Sequence, residues 1–175
     1  MLPTSRTFEL LQRPGPPALL VSLPANDAEL ARAARDGGAE GLKVHLNITH
    51  AAAGVKFGSL AEEAAALAEI VAVGLPVGVV PGDFAAMATA GDIRRLAELG
   101  LDFLDAYVGA MPAWMLTQSN LAVMAAVGAD DLRVPGRVAG VAALPGVQMV
   151  EASVIAHDGY GKPLSVSDLC DYTGV

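Results

Sequence analysis

Short aliphatic runs alternate with amphipathic stretches along this chain, and each amphipathic stretch ends at a glycine. The runs are PALLVSLP, GLKVHLN, LPVGVVPG, LDFLDAYVG, LAVMAAVG and VQMVEASVI. The amphipathic stretches are DAELARAARDGG, LAEEAAALAEIVAVG, DIRRLAELG, LRVPGRVAGVAALPG and SVSDLCDYTG. Strands that alternate with helices of this length form βαβ units, which build a parallel sheet. The pattern therefore predicts an α/β fold with about six βα units in a single domain over residues 1–175.

Cap signals mark where the predicted helices begin. Asn26 precedes the first amphipathic stretch and Ser59 precedes the second, with Glu29 and Glu62 three residues further on. Both are capping-box patterns, in which the cap side chain accepts a backbone N–H and the acid reaches back to the cap. A further short helix is predicted near residues 5–12, ahead of the first strand.

Composition restricts the partners and the compartment. The chain has 175 residues, 53% of them hydrophobic, which is enough for a substantial core. A formal net charge of −8 at pH 7 argues against nucleic acid and against anionic membrane surfaces, but leaves a small anionic metabolite as a partner. The single cysteine, Cys170, excludes an internal disulfide and is predicted to be buried on a helix. The N-terminal sequence has no apolar signal-peptide core, so the cytoplasm is the default.

The segment from Ala106 to Ala129 contains no charged residue. Pro112 and the polar run Gln118–Asn120 interrupt it, whereas a membrane-spanning helix needs about 20 continuous apolar residues. We interpret the segment as strand, polar loop and strand.

Polar residues share one face in three of the predicted strands. A doubly wound open sheet buries both faces of its central strands, which are then continuously apolar. A barrel instead turns one face of each strand into its lumen, and its site lies at the C-terminal strand ends. The alternation favours the barrel. The polar sets are Lys43, His45 and Asn47; Asp105 and Tyr107; and Glu151 and Ser153; Ser22 could join them from the first strand.

The runs LLVSLP, GLKVHLN, PVGVVPG, DFLDAYVG and MVEASVI resemble the strands of aldolase-type barrels that bind phosphorylated sugars, the ribulose-phosphate-binding group. The resemblance implies a parallel (β/α) TIM-barrel-like fold and phosphate binding at the loops after strands seven and eight. A complete barrel has eight units, so we predict an incomplete barrel that lacks strands seven and eight. Three explanations stay open: a fragment, a sheet that a partner chain completes, or an open variant. A homo-oligomer is a further possibility. Two bare parallel edges favour the fragment.

Four residues are candidates for catalysis: Lys43, His45, Asp105 and Glu151. Burial in a lumen should lower the pKa of Lys43, which could then form a Schiff base, act as a general base or remain a fixed cation. In the main class of Schiff-base barrel aldolases the lysine lies on strand six, where this chain reads MVEASV, so we favour an electrostatic or acid–base role. His45 is a candidate proton carrier near neutral pH.

Asp105 and Glu151 are candidates for general acid and base, one pKa being raised by the other carboxylate or by apolar walls. Pairing that only neutralises Lys43 is the alternative. A divalent cation held by His45, Asp105 and Glu151 ranks low because the spacing matches no metal signature. No metal and no other cofactor is predicted.

Six residues are candidates for substrate binding. The loop HAAAGVKFGS opens a predicted helix and could offer cationic and backbone N–H groups to an anion, although a mobile loop explains it equally well. The loop AHDGYGKPL after the sixth strand could act as a lid or phosphate contact, a flexible turn being the alternative. The candidates are Asn47, Lys56, Gly58, Ser59, Tyr107 and Ser153.

Two classes of function fit these features. The first is a lyase or isomerase that acts on a small phosphorylated or carboxylated carbonyl compound through an enolate-like intermediate. The second is a non-catalytic barrel-derived protein, either a small-molecule-binding or an assembly subunit, in which the inner polar residues are structural pairs.

Overall fold

A computed structural model describes residues 3–50, 52–155 and 161–173, with side chains to residue 170. Its strands form one parallel sheet in the order β1-β2-β3-β4-β5-β6, so each strand pairs with the next one along the chain. The six predicted strands are confirmed. They are β1 (Leu20–Ser22), β2 (Gly41–His45), β3 (Val77–Val80), β4 (Phe103–Tyr107), β5 (Ala122–Gly128) and β6 (Val147–Ser153).

Helices follow or connect these strands, as the amphipathic stretches predict. The stretch after the fifth strand, LRVPGRVAGVAALPG, is helical over a shorter length than predicted. Its helix begins after Pro135 and Gly136, which separate it from a short helix that ends at Leu132. None of the helices in the described residues is long and apolar enough to cross a membrane. The helices are α1 (Arg6–Gln12), α2 (Ala28–Asp36), α3 (Leu60–Val71), α4 (Ala90–Leu99), α5 (Met115–Gln118), α6 (Ala129–Leu132), α7 (Arg137–Ala142) and α8 (Val166–Thr173).

The convex face of the sheet packs against the helices. Leu42, Val44 and Leu46 on and after β2 are fully buried there, beside Leu67 and Ile70 of α3. Each such side chain stabilises the fold by roughly 1.5–3 kcal/mol relative to an exposed one. The alternate residues of β2 point to the concave side, which confirms the predicted assignment of faces.

The lower half of the concave face is apolar and is closed by α1. Phe103, Met124 and Met149 form a buried cluster, against which Phe8 of α1 and Leu20 pack. Asp102 holds the start of α1, because its carboxylate accepts from the Ser5 hydroxyl at 2.8 Å and from the backbone N–H groups of residues 6 and 7. A carboxylate at a helix N-terminus also interacts favourably with the positive end of the helix dipole.

Gly78 makes room for this cluster. A Cβ atom on Gly78 would lie 2.0 Å from Cζ of Phe103, so any larger residue would displace the ring. The phenyl ring of Phe103 therefore occupies the space over residue 78, where only glycine fits.

Two local predictions from the sequence are wrong. The cap of α2 is Asp27, whose side chain accepts from the N–H groups of Glu29 and Leu30, rather than Asn26. Cys170 lies on α8 as predicted, but it is exposed rather than buried. The predicted box at Ser59 and Glu62 is confirmed at the start of α3.

Candidate active site

The C-terminal ends of the strands enclose a cleft of about 860 Å³ on the concave side. This is the end at which barrel enzymes carry their active sites. The polar residues at its floor come from β1, β2, β4 and β6. They are Ser22, Lys43, His45, Asp105, Tyr107 and Glu151.

Lys43 joins three strands across the lumen. Its Nζ atom donates to Asp105 Oδ2 at 2.7 Å and to Glu151 Oε2 at 2.5 Å. Barrel interiors are filled in layers by alternate strands, and β2, β4 and β6 supply this layer. Gly78 on the intervening β3 pairs with Lys43 in register and carries no side chain into this layer. An open, flat sheet could not bring β2 to β6, so the doubly wound alternative is excluded and the sheet is an incomplete barrel.

The three charged groups differ in their access to the cleft. The side chain of Asp105 is 2% exposed, that of Lys43 17% and that of Glu151 32%. Glu151 is therefore the carboxylate that a bound molecule can reach, whereas Asp105 lies behind the lysine.

The surroundings move the three pKa values in different directions. Burial raises the pKa of Asp105 well above its usual value, and the contact with Glu151 adds to this. Burial opposes ionisation of Glu151 too, but hydrogen bonding from Asp105 and the charge of Lys43 lower its pKa overall. The two carboxyl pKa values therefore lie apart: Asp105 keeps its proton to higher pH than Glu151 does.

The expected lowering of the Lys43 pKa is wrong. Burial alone would lower it, but the charges of Asp105 and Glu151 outweigh burial and raise the pKa above its ordinary value. Lys43 is therefore a fixed cation, and neither a Schiff-base amine nor a general base at neutral pH.

His45 lies next to this group and is neutral. Burial, followed by the charges of His50 and Lys43, lowers the pKa of His45 to about 3. The prediction of a proton carrier near neutral pH is therefore wrong for this ring. Its Nε2 atom lies 3.3 Å from Oγ of Ser22, and the ring packs against Phe57 with centroids 4.8 Å apart.

The remaining predicted residues separate into two groups. Tyr107 and Ser153 line the cleft. Asn47 follows the end of β2 with φ of 57°, and its side chain donates to the carbonyl of Pro81 at 3.2 Å instead of lining the cleft.

The loop residues Lys56, Gly58 and Ser59 do not line the cleft either. The Gly58 N–H donates to Glu63 at 2.9 Å and the Ser59 N–H to Glu62 at 2.7 Å, so acids of α3 already occupy both groups. In the loop AHDGYGKPL, residues 156–160 lie outside the described residues.

Three residues near the cleft carry no clear signal in the sequence. The Asn26 side chain accepts from the N–H of His45 at 3.2 Å and donates to its carbonyl at 2.8 Å, which holds the end of β2. Arg133 and Phe84 line the cleft mouth, where Phe84 is 82% exposed. Asn26 matches a helix-cap pattern, which led away from its contact with β2. Nothing in the sequence spacing marks Arg133 or Phe84 as cleft residues.

The described residues contain no group of three or more His, Cys, Asp or Glu side chains placed to hold a metal ion. The alternative of a divalent cation held by His45, Asp105 and Glu151 meets a different arrangement here. The ammonium group of Lys43 lies between the two carboxyl groups. Positive charge is thus supplied here by a side chain.

Comparisons with known proteins agree on the fold. No protein-family model matches the sequence, and neither does a curated protein. Dihydropteroate synthase from Thermus thermophilus, solved with 4-aminobenzoate, superposes with a TM-score of 0.51 and 21% identity, over 77% of this chain and 59% of the synthase. 2,3-Dimethylmalate lyase, a PEP mutase/isocitrate lyase superfamily member, superposes with a TM-score of 0.53 and 16% identity, over 95% of this chain and 73% of the lyase.

Both solved structures are aldolase-type (β/α) barrels, and this chain has the same type of fold. At these identities the likeness concerns the fold. The chain spans 59% of the length of the synthase and 73% of the length of the lyase.

Proposed function

We propose that this protein is a lyase or isomerase that acts on a small phosphorylated or carboxylated carbonyl compound through an enolate-like intermediate. One observation carries the proposal: a fixed lysine cation at the C-terminal end of the sheet holds one buried and one accessible carboxyl group. The sequence predicts that it works in the cytoplasm and needs no bound cofactor.

The two accessible groups have complementary roles. Glu151, with its lowered pKa, is ionised at neutral pH and takes a proton from the carbon next to the substrate carbonyl. The C–H bond electrons form the new C=C bond, the carbonyl π electrons move to the oxygen, and the ammonium of Lys43 stabilises the enolate oxygen that results. Return of the proton to the opposite face of the same carbon, or to the neighbouring carbon of an enediol, completes an isomerisation. In a lyase reaction Glu151 instead takes the proton of a hydroxyl group β to the carbonyl; that oxygen becomes a new carbonyl, and the electrons of the cleaved C–C bond form the enolate, which then takes up the proton on carbon.

Asp105 acts on Lys43 rather than on the substrate. It is almost fully buried and its Oδ2 atom accepts from Nζ at 2.7 Å, so it fixes the position of the ammonium group. Such preorganisation lowers the cost of stabilising charge in the transition state.

Arg133 supports an anionic substrate. It lines the cleft, where its Nη1 atom lies 3.7 Å from Oδ1 of Asp130, and an arginine can bind carboxylate or phosphate through two parallel N–H groups. The cleft also suits a metabolite of modest size, at about 860 Å³.

Hydrogen–deuterium exchange tests the proposal without knowledge of the product. The protein is incubated in D₂O with 2-oxobutanoate, dihydroxyacetone phosphate, fructose and fructose 6-phosphate, and loss of the α-proton signal is followed by NMR. We expect exchange on at least one anionic compound, and a rate slower by about 100-fold or more in Glu151→Gln.

Glu69→Gln is the matched control, because Glu69 is exposed on α3 and is not one of the residues that line the cleft. It should exchange at the wild-type rate. Exchange that persists in Glu151→Gln would refute the assigned base. Binding of a compound with no exchange in the wild-type protein would favour the non-catalytic alternative.

A further inference from the structure

Ser22 is a cleft residue to which neither the proposed proton transfer nor the comparisons assign a role. It ends β1, is exposed, and lines the cleft. It pairs in register with Lys43 on the neighbouring strand, so its side chain lies next to the proposed enolate site. In the described part of the chain, its hydroxyl forms a hydrogen bond with Nε2 of His45 at 3.3 Å.

The two nitrogen atoms of His45 have unequal surroundings. Nε2 faces Ser22, whereas Nδ1 is buried and has no hydrogen-bond partner among the described residues. A neutral imidazole carries one proton, on either nitrogen. Orphaned buried donors are rarer in proteins than under-satisfied acceptors. The proton is therefore better placed on Nε2, where it has a partner, than on Nδ1, where it has none.

This tautomer decides the direction of the bond to Ser22. An Nε2–H group donates to Oγ of Ser22, which then acts as the acceptor. The hydroxyl proton of Ser22 is left to donate elsewhere, and the side chain opens on the cleft beside Lys43.

We infer that Ser22 is a second hydrogen-bond donor to the substrate oxygen that becomes the enolate, and that His45 is the positioning residue that orients the Ser22 hydroxyl. The donor serves the site proposed above, so the inference rests on the proposed function. Lys43 supplies the charge and Ser22 a directional bond. A substrate with two neighbouring oxygen atoms, such as a 2-oxo acid or a hydroxyketone, presents one to each donor.

The first arm of the test reads the tautomer directly. ¹⁵N NMR of the His45 ring should show the Nε2–H form from pH 5 to pH 8, with no titration of this ring. A ring protonated on Nδ1 would make Ser22 the donor to His45 and would overturn the inference.

The second arm uses oxalate, a stable mimic of an enolate with two neighbouring oxygen atoms. We expect oxalate to shift the His45 Nε2–H signal, and Ser22→Ala to weaken its binding about tenfold, in line with loss of one hydrogen bond to a charged group. Ser22→Thr keeps the hydroxyl and should bind within about threefold of wild type. No shift at 50 mM oxalate, or equal binding by Ser22→Ala, would overturn the inference.

The third arm separates this inference from the proposed function. With an active compound from the exchange panel, Ser22→Ala should lower kcat about tenfold or more, and Ser22→Thr should restore it. Oxalate binding that depends on Ser22, in a protein that exchanges no compound, would refute the proposed reaction but keep Ser22 as the donor.

Discussion

Lys43 owes its properties to two carboxyl groups that lie far away in the sequence. Asp105 and Glu151 are 62 and 108 residues further along the chain, yet both accept from its ammonium group. Without them, burial would lower the pKa of the lysine. With them, the pKa is raised, and the lysine stays charged over the whole physiological range of pH. Burial raises the pKa of Asp105, whereas the contacts with Asp105 and Lys43 lower that of Glu151 overall.

Replacement of Lys43 by methionine should lower the stability of the protein. At pH 7 we expect a loss of about 2 kcal/mol in the free energy of unfolding, because the Glu151 carboxylate loses its cation; partial exposure keeps the loss below that of a fully buried pair. At pH 5 the loss should be smaller, since the two carboxyl groups then share a proton more easily. Urea unfolding at both values of pH measures the difference.

Lys56→Met is the control for this variant. Lys56 is exposed, so its replacement should change the free energy of unfolding by less than about 0.5 kcal/mol. A Lys43→Met protein as stable as wild type at pH 7 would contradict a stabilising role. Function would then be the reason for the lysine.

At the scale of the elements, packing between β3 and β4 depends on a glycine and a phenylalanine. Gly78 pairs in register with Phe103, whose ring covers it. Phe8 of α1 packs on the same cluster, so this contact also seats the helix that closes the lower end of the sheet.

Gly78→Ala should therefore destabilise the protein by about 2 kcal/mol, because its Cβ would displace the ring of Phe103 from a packed core. In a Phe103→Leu background the added methyl group should cost less, since the branched side chain leaves space. A double-mutant cycle by urea unfolding measures this coupling.

Gly140→Ala is the matched control. Gly140 lies inside α7 with no atom within 4 Å of an added Cβ, so alanine there should be neutral or stabilise by up to about 1 kcal/mol. Equal costs of Gly78→Ala in both Phe103 backgrounds would show that the ring does not require the glycine.

Asn26 shows how an element boundary can mislead. Its position before a helix with an acid three residues later is a cap pattern, and Asp27 beside it can serve equally well. The choice depends on groups 19 and 37 residues away, the backbone of His45 and the carboxylate of Glu63, to which the Asn26 side chain bonds. A pattern of neighbouring residues contains no information about partners this far away in the sequence.

For the whole molecule, curling of the sheet is what removes His45 from water. The ring is 2% exposed and lies between Phe57, His50 and the Lys43 group. An unfolded chain would return it to water and to an ordinary pKa of about 6.5. Folding is therefore coupled to deprotonation of this residue.

Stability should fall in mild acid because of His45. Its pKa is about 3 in the folded protein, so between about pH 6.5 and pH 3 the unfolded chain binds more protons, and its population is favoured as the pH falls. From pH 7 to pH 5 the residue should contribute a loss of about 2 kcal/mol. Urea unfolding of wild type and His45→Gln at both values of pH measures it.

The comparison between the two proteins isolates the histidine. Asp105, whose pKa is raised, acts in the opposite sense, since the stability it contributes is lost as the pH rises. That contribution is common to both proteins. A His45→Gln protein that loses as much stability as wild type between pH 7 and pH 5 would contradict the burial of a neutral ring.

Local patterns were sufficient to predict the strands, most of the helices, and the face on which Lys43, Asp105 and Glu151 lie. These follow from periods of two and 3.6 residues and from short-range caps, which are properties of neighbouring residues in the chain. Three properties of the site arise only on folding: β2 meets β6 across the lumen, Lys43 stays charged, and His45 is neutral. They depend on burial and on charges brought together by the curl of the sheet, and neither is a function of spacing along the sequence.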